Sequence, residues 1–141
     1  MLNANYVVGL VDSLGNFAVY VRDPERVGSV KRRPKAEPRF QMKMAEKDKD
    51  ILDQLKDFFN CGNIYFQKEQ RKNHQNFYRY EVSNRKDLET IIMPFFLIHP
   101  LQRASQKKAF MLFCEAMRRI KKGEHLSDHG LRVLYSIKQQ G

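Results

Sequence analysis

Two groups of residues in this chain have types and spacing that bear on chemistry. The first lies in "YVVGLVDSLGNF", Tyr6 to Phe17. An apolar helical stretch there passes one acid, Asp12, and ends at Gly15, with Leu14 directly before the glycine. The second group is larger. Asn16, Tyr20, Arg22, Arg39, Gln41, Lys43, Asn63, Tyr65, Gln67, Arg79 and Glu81 occupy alternate positions of four strand-like segments. They therefore share one face of a sheet. Arg and Lys pair with guanine, and Asn and Gln with adenine, along base edges in a major groove. The same face could also be a plain solvated one. Two basic loops favour nucleic acid: "VKRRPK", with Arg32, Arg33 and Lys35, and the hairpin with Lys68, Arg71 and Lys72. Such loops lie over phosphates when the strands enter a groove.

Other reactive side chains are poorly placed. Cys61 stands in a turn-like "NCGN" and Cys114 inside an apolar helical pattern. Neither fits a zinc knuckle, and both read as reduced thiols. His125 and His129 are four apart, the spacing of one helix face, but no third ligand accompanies them, so they read as a surface pair.

These groups need a scaffold. A chain of 141 residues, 42% hydrophobic, is long enough for one cored domain spanning 1–141. The net charge of +10 favours an anionic partner. No apolar run is long enough to span a bilayer, and no basic-then-apolar leader opens the chain. A cytoplasmic or organellar protein, not a secreted one, is expected.

Apolar spacing predicts the elements in order. Residues 5–13 form a helix so apolar that it must be buried, against another element or a copy of itself. "NFAVYVR" is a strand with Phe17, Val19 and Val21 inward. Residues 23–38, rich in proline and basic residues, form a loop. "RFQMKM" is the return strand, and "DKDILDQLKDFF" a helix. The plan then recurs. "GNIYFQK" turns Ile64 and Phe66 inward, "FYRYEV" turns Tyr78, Tyr80 and Val82 inward, and "NRKDLETIIMPFF" is a helix. Lys49-Asp50 matches Lys86-Asp87 and Phe58-Phe59 matches Phe95-Phe96, a weak internal repeat. A helix over 105–121 and a last helix capped by Ser127 complete the chain. The order predicts an α+β domain, α-ββ-α-ββ-α plus C-terminal helices, with one four-stranded antiparallel sheet.

"YVVGLVDSLGNF" resembles the signature helix of the LAGLIDADG homing endonucleases, and "KMAEKDKDILDQL", "YRYEVSNRKDL" and "FFLIHPLQRASQKKAF" resemble single-motif members. The likeness covers essentially the whole chain. It implies a homodimer bound to double-stranded DNA, with the two signature helices side by side. Tyr6, Val8, Gly9, Asp12 and Ser13 would then line the interface. Gly9 suits close approach of two backbones, while Val8 stands where alanine is common.

The resemblance also implies that the acid just before the final glycine binds Mg²⁺ or a similar cation, one from each subunit. A hard cation takes carboxylate oxygens, activates water and offsets charge building on phosphate. Aligning "GLVDSLG" puts Asp12 on the first acid, mainly structural in the family, and Leu14 on the metal ligand. Asp12 is two residues earlier, ~200° around the helix, and cannot substitute directly. Glu46 matches an accessory polar position near the metal water, and Lys107 and Lys108 lie close to a catalytic lysine of unfixed register. No metal is expected with Leu14 present; if one binds, Asp12 or Glu46 would hold it. The expectation is sequence-specific DNA binding with cleavage lost or impaired. The alternatives are an active metal-dependent endonuclease and an RNA-binding splicing or ribosome-associated protein on the same fold.

Overall fold

The computed structural model describes residues 1–22, 36–71 and 75–140. Most of the expected 23–38 loop, with Arg32, Arg33 and Lys35, lies outside these residues, as does Lys72.

Helix α1 (Ala4–Leu14) starts where the Asn3 side chain accepts the Tyr6 N–H at 2.9 Å. It ends at Gly15, where a Cβ would fall 2.5 Å from Val11 Cγ1 and 2.8 Å from Val11 O. Only glycine lets strand β1 (Gly15–Val21) leave the helix so closely. Strand β2 (Ala36–Ala45) returns antiparallel, pairing Met42 with Gly15 and Ala36 with Val21. Residues 36–38 are thus strand rather than loop. Pro38 is tolerated because it lies beyond the β2–β4 ladder, whose last pair on that side is Phe40 with Val82.

A 3₁₀ turn, Glu46–Asp48, leads into α2 (Lys49–Phe59), which buries Leu52, Leu55 and Phe59. The chain reverses through Asn60 at φ 55° and Gly62 at φ 89°. A left-handed residue after the last turn is a common helix stop. Strands β3 (Asn63–Gln67) and β4 (Phe77–Val82) form the second hairpin, and the sheet runs β1-β2-β4-β3.

The next helical run has three parts: α3 (Arg85–Asp87), a π turn (Leu88–Ile92) and α4 (Met93–Ile98). Pro94 accounts for the wide turn. Proline has no N–H for the preceding turn, and its ring crowds the carbonyl four residues back. Widening relieves the clash. The repeated Phe pairs then meet: Phe58 with Phe95 at 5.4 Å, and Phe59 with Phe96 at 6.2 Å between ring centroids.

Helix α5 (Ala104–Lys121) and helix α6 (Asp128–Gln139) close the fold; the Ser127 hydroxyl accepts the Gly130 N–H at 3.0 Å. His125 and His129 do not share a helix. His125 is buried in a 3₁₀ turn, Glu124–Leu126, and His129 is exposed on α6.

The helices cover one sheet face. Phe17 sits at the centre, with Phe40, Phe96, Phe110 and Phe113 at 5.1 to 5.6 Å. Val21 and Ala36 extend the core beneath α5 and α6. Phe66 shares the inward face as expected but stays 53% exposed at the edge strand, resting on Tyr78. No helix among the described residues is long and apolar enough to cross a membrane.

Candidate nucleic-acid interface and the foot of the first helix

The uncovered face is built by strand alternation and register. Asn16 pairs with Gln41, Gln41 with Glu81, and Glu81 with Asn63, so four polar side chains make one row across the sheet. The next row toward α1 holds Lys43, Arg79 and Tyr65. Arg39 lies on the other side of the amide row, opposite Ala18, followed by Glu37 opposite Tyr20. Asn16, Tyr20, Lys43, Asn63, Tyr65 and Gln67 are exposed; Arg22, Arg39, Gln41 and Arg79 are half-buried.

The two arginines are not free. Arg39 pairs with Glu37, Nε to Oε1 at 3.2 Å and Nη2 to Oε2 at 3.1 Å, and this contact raises its pKa. Glu81 Oε1 lies 3.6 Å from Arg39 Nη1 and 3.5 Å from Arg79 Nε. The Arg79 guanidinium also covers the Tyr65 ring at 5.3 Å. Glu81 faces outward as the alternation predicts, yet it is only 8% exposed. In the β3–β4 hairpin, Lys68 is exposed, whereas Arg71 is tied to Glu69 and holds that carboxyl at about 2.

At the foot of α1, Asp12 is 7% exposed. Its Oδ2 accepts the Gln102 N–H at 2.8 Å and its Oδ1 the Arg103 N–H at 3.2 Å. Arg103 Nη1 donates back to Asp12 O at 2.8 Å. The carboxylate therefore serves the N-terminal end of α5. The sequence assigns Asp12 to the interface face of α1 and makes it a possible metal ligand. Here it is buried, engages one backbone N–H with each oxygen, and lines the same surface hollow as Val8 and Gly9. Gln106 adds a second clamp, donating Nε2 to Val11 O at 2.8 Å and Gly15 O at 2.7 Å. No motif marks Gln106, but it continues the buried stripe of Phe110, Phe113 and Met117 with a polar residue. Such a residue needs a partner.

Leu14 is the last residue of α1 and is 47% exposed. Glu46 is exposed on the turn after β2. Lys107 and Lys108 follow Gln106 but line a groove of about 950 Å³ with Met93 and Met111, between α4 and α5. Among the described residues no group of three or more His, Cys, Asp or Glu could hold a metal. Leu14 offers no donor, so the residues of this foot do not fit a divalent cation. Both cysteines are free thiols; burial pushes the Cys114 thiol up to about 11.

The outer side of α1 carries Tyr6, Gly9 and Ser13, all exposed, with Val8 half-buried. A Cβ built on Gly9 meets nothing within 4 Å. A hollow of about 320 Å³ beside it is lined by Asn5, Val8, Ile98 and Pro100, among others.

A four-stranded antiparallel sheet, helices on one face and C-terminal helices define the α+β homing-endonuclease fold. The chain belongs to the LAGLIDADG endonuclease family, whose model matches residues 7–117. It is similar to a probable intron-encoded DNA endonuclease 1 of Mycosarcoma maydis, 28% identical over 95 residues, covering 67% of this chain and 30% of that protein. Among solved structures it is similar to the homing endonuclease I-TnaI: TM-score 0.76, 28% identity, 99% of this chain and 87% of that one. It is also similar to I-SmaMI bound to uncleaved DNA target in the presence of calcium ions: TM-score 0.80, 28% identity, 98% of this chain and 44% of that one. The chain thus spans under half the length of I-SmaMI and under a third of the curated relative.

Proposed function

We propose that this chain is a single-motif LAGLIDADG domain over residues 1–141. Two copies bind one double-stranded DNA site through their open sheet faces, and cleavage is lost or impaired. The observation that carries the reading is the contrast between the two candidate sites. The sheet face displays Asn16, Arg39, Gln41, Lys43 and Arg79 in rows, while the helix ends in Leu14. Asn, Gln, Arg and Lys can each donate to base edges. An aliphatic side chain supplies no oxygen to a cation and no base to water.

Pairing of two copies through Tyr6, Val8, Gly9 and Ser13 is supported by an exposed helix face with open space over Gly9. Lys68, Arg71, Lys72, Arg32, Arg33 and Lys35 are the phosphate contacts of this reading. Its partners are double-stranded DNA and a second copy, and an intron is the expected genetic setting. Divalent-cation binding is weak or absent in this reading.

Selection of duplexes from a random library, followed by binding in EDTA and in Mg²⁺, tests the reading. Selection of one long, near-palindromic site that binds in EDTA is the expected result. Recovery of structured RNA in preference to any duplex would overturn it.

A further inference from the structure

We propose that Glu81 is a positioning residue, which holds Arg79 and Arg39 so that they act as one paired reading element on the sheet face. This rests on the DNA-binding reading of that face. Glu81 lies on β4, with Gln41 beside it on β2 and Asn63 on β3. Its neighbours Asn63, Tyr65 and Lys43 are exposed, yet it is 8% exposed itself. A carboxylate that reads cytosine must project its oxygens into the groove; this one is covered.

One oxygen, Oε1, faces both arginines as an ion pair without a hydrogen bond, at 3.5 Å from Arg79 Nε and 3.6 Å from Arg39 Nη1; Oε1 and Arg79 Nε are both buried. A buried carboxylate without opposite charge is unfavourable, and two guanidiniums side by side repel. The triad solves both problems. Each arginine has a second restraint: Glu37 grips Arg39, and the Tyr65 ring lies under Arg79. Side chains fixed before binding lose less freedom on binding.

The donors are divided unequally. Arg79 turns Nε toward Glu81 and rests its guanidinium on the Tyr65 ring, so its Nη groups are not the ones that face Glu81. The end-on Nη1–Nη2 edge is the fork that takes guanine O6 and N7. Arg39 commits Nε and Nη2 to Glu37 and faces Glu81 with Nη1, so it must exchange an acid for a base. Arg79 is therefore the preformed reader and Arg39 the exchangeable one, with Glu81 setting both.

The test uses the near-isosteric Glu81→Gln beside Arg79→Ala and Arg39→Ala, each checked for parent-like folding. In DNA-free protein, NMR of the arginine Nε–H groups reads the positioning directly. Expected is slow exchange at Arg79 in the parent and markedly faster exchange in Glu81→Gln. On selected duplexes, Glu81→Gln should lose about tenfold discrimination at the same base pairs that Arg79→Ala and Arg39→Ala relax. Its affinity for unrelated duplex should stay within about threefold, because phosphate contacts remain. Relaxation at a base pair that neither arginine variant affects would overturn the proposal and make Glu81 a direct reader. Unchanged exchange and unchanged preference would remove the positioning role while leaving DNA reading intact. A parent without base preference on any duplex would remove the DNA reading, and the proposal with it.

Discussion

The Asp12 carboxylate accepts the backbone N–H of Gln102 at 2.8 Å, joining the foot of α1 to the approach of α5 across 90 residues of chain. With the Arg103 N–H at 3.2 Å on its other oxygen, Asp12 ties together the two elements that frame the helix foot. Asp12→Ala leaves the Gln102 and Arg103 backbone donors without the buried carboxylate that now accepts them. It should destabilise the fold by about 2 kcal/mol, with Asp12→Asn losing less because one acceptor oxygen survives. Denaturant unfolding of the three proteins measures this. Equal stability of parent and Asp12→Ala would show that the clamp contributes nothing.

Gln106→Ala should act on the same corner by a different route. Gln106 Nε2 bridges Val11 O, in the last turn of α1, and Gly15 O, on the first residue of β1. Losing the bridge should cost about 1 kcal/mol. The amides of residues 13–16 should exchange faster with solvent, read by hydrogen exchange. Lys107→Ala, whose side chain opens into the α4–α5 groove, should leave those amides unchanged.

Gly9→Leu addresses pairing of two copies. The space over Gly9 is open in one chain, where an added Cβ meets nothing within 4 Å. The larger side chain should keep two α1 helices apart, converting dimer to monomer in light scattering while the thermal unfolding of the chain is kept. A Gly9→Leu protein that remains a dimer would place the pairing surface elsewhere.

Salt and base preference separate the two roles proposed for the basic side chains on and around the sheet. Binding of a selected duplex should weaken about 10³-fold or more between roughly 50 and 200 mM salt if both copies neutralise phosphates. Lys68→Ala should weaken all duplexes alike and lower the salt slope by about one for each phosphate left without its lysine. Arg79→Ala should relax preference at particular base pairs. Equal loss on every duplex for both variants would show that the sheet does not read bases.

Much of the scaffold is legible in the chain because strand and helix periods are local. Phe17, Val19 and Val21 alternate with Asn16, Ala18 and Tyr20, which fixes which face is buried before any partner strand is known. The exceptions have local causes of another kind. Residues 36–38 look like loop because proline and charge dominate there, yet pairing with β1 carries the strand through Pro38. The π turn before Pro94 has no period of its own.

The candidate site is legible only where a single strand or helix defines it. Leu14 before Gly15 and the outward row of Arg, Asn and Gln can be read off directly. The Arg39–Glu81–Arg79 cluster cannot, since it depends on the register of β2 against β4. Nor can the Asp12 clamp, which joins residues 90 apart.

In the proposed function Leu14 separates binding from cutting, and cleavage of a selected duplex tests that role most directly. A plasmid carrying the site is incubated with the parent or with Leu14→Asp, in Mg²⁺ or Mn²⁺ and in EDTA, and nicked and linear forms are quantified. The parent should bind the plasmid and leave it supercoiled in every condition. Leu14→Asp puts a carboxylate where the helix now ends in an aliphatic side chain. It should nick or linearise the plasmid in metal and not in EDTA, at a modest rate. The loss of one essential group typically lowers a rate by several powers of ten. Metal-dependent cutting by the parent as fast as by Leu14→Asp would contradict the proposal that Leu14 leaves cleavage lost or impaired.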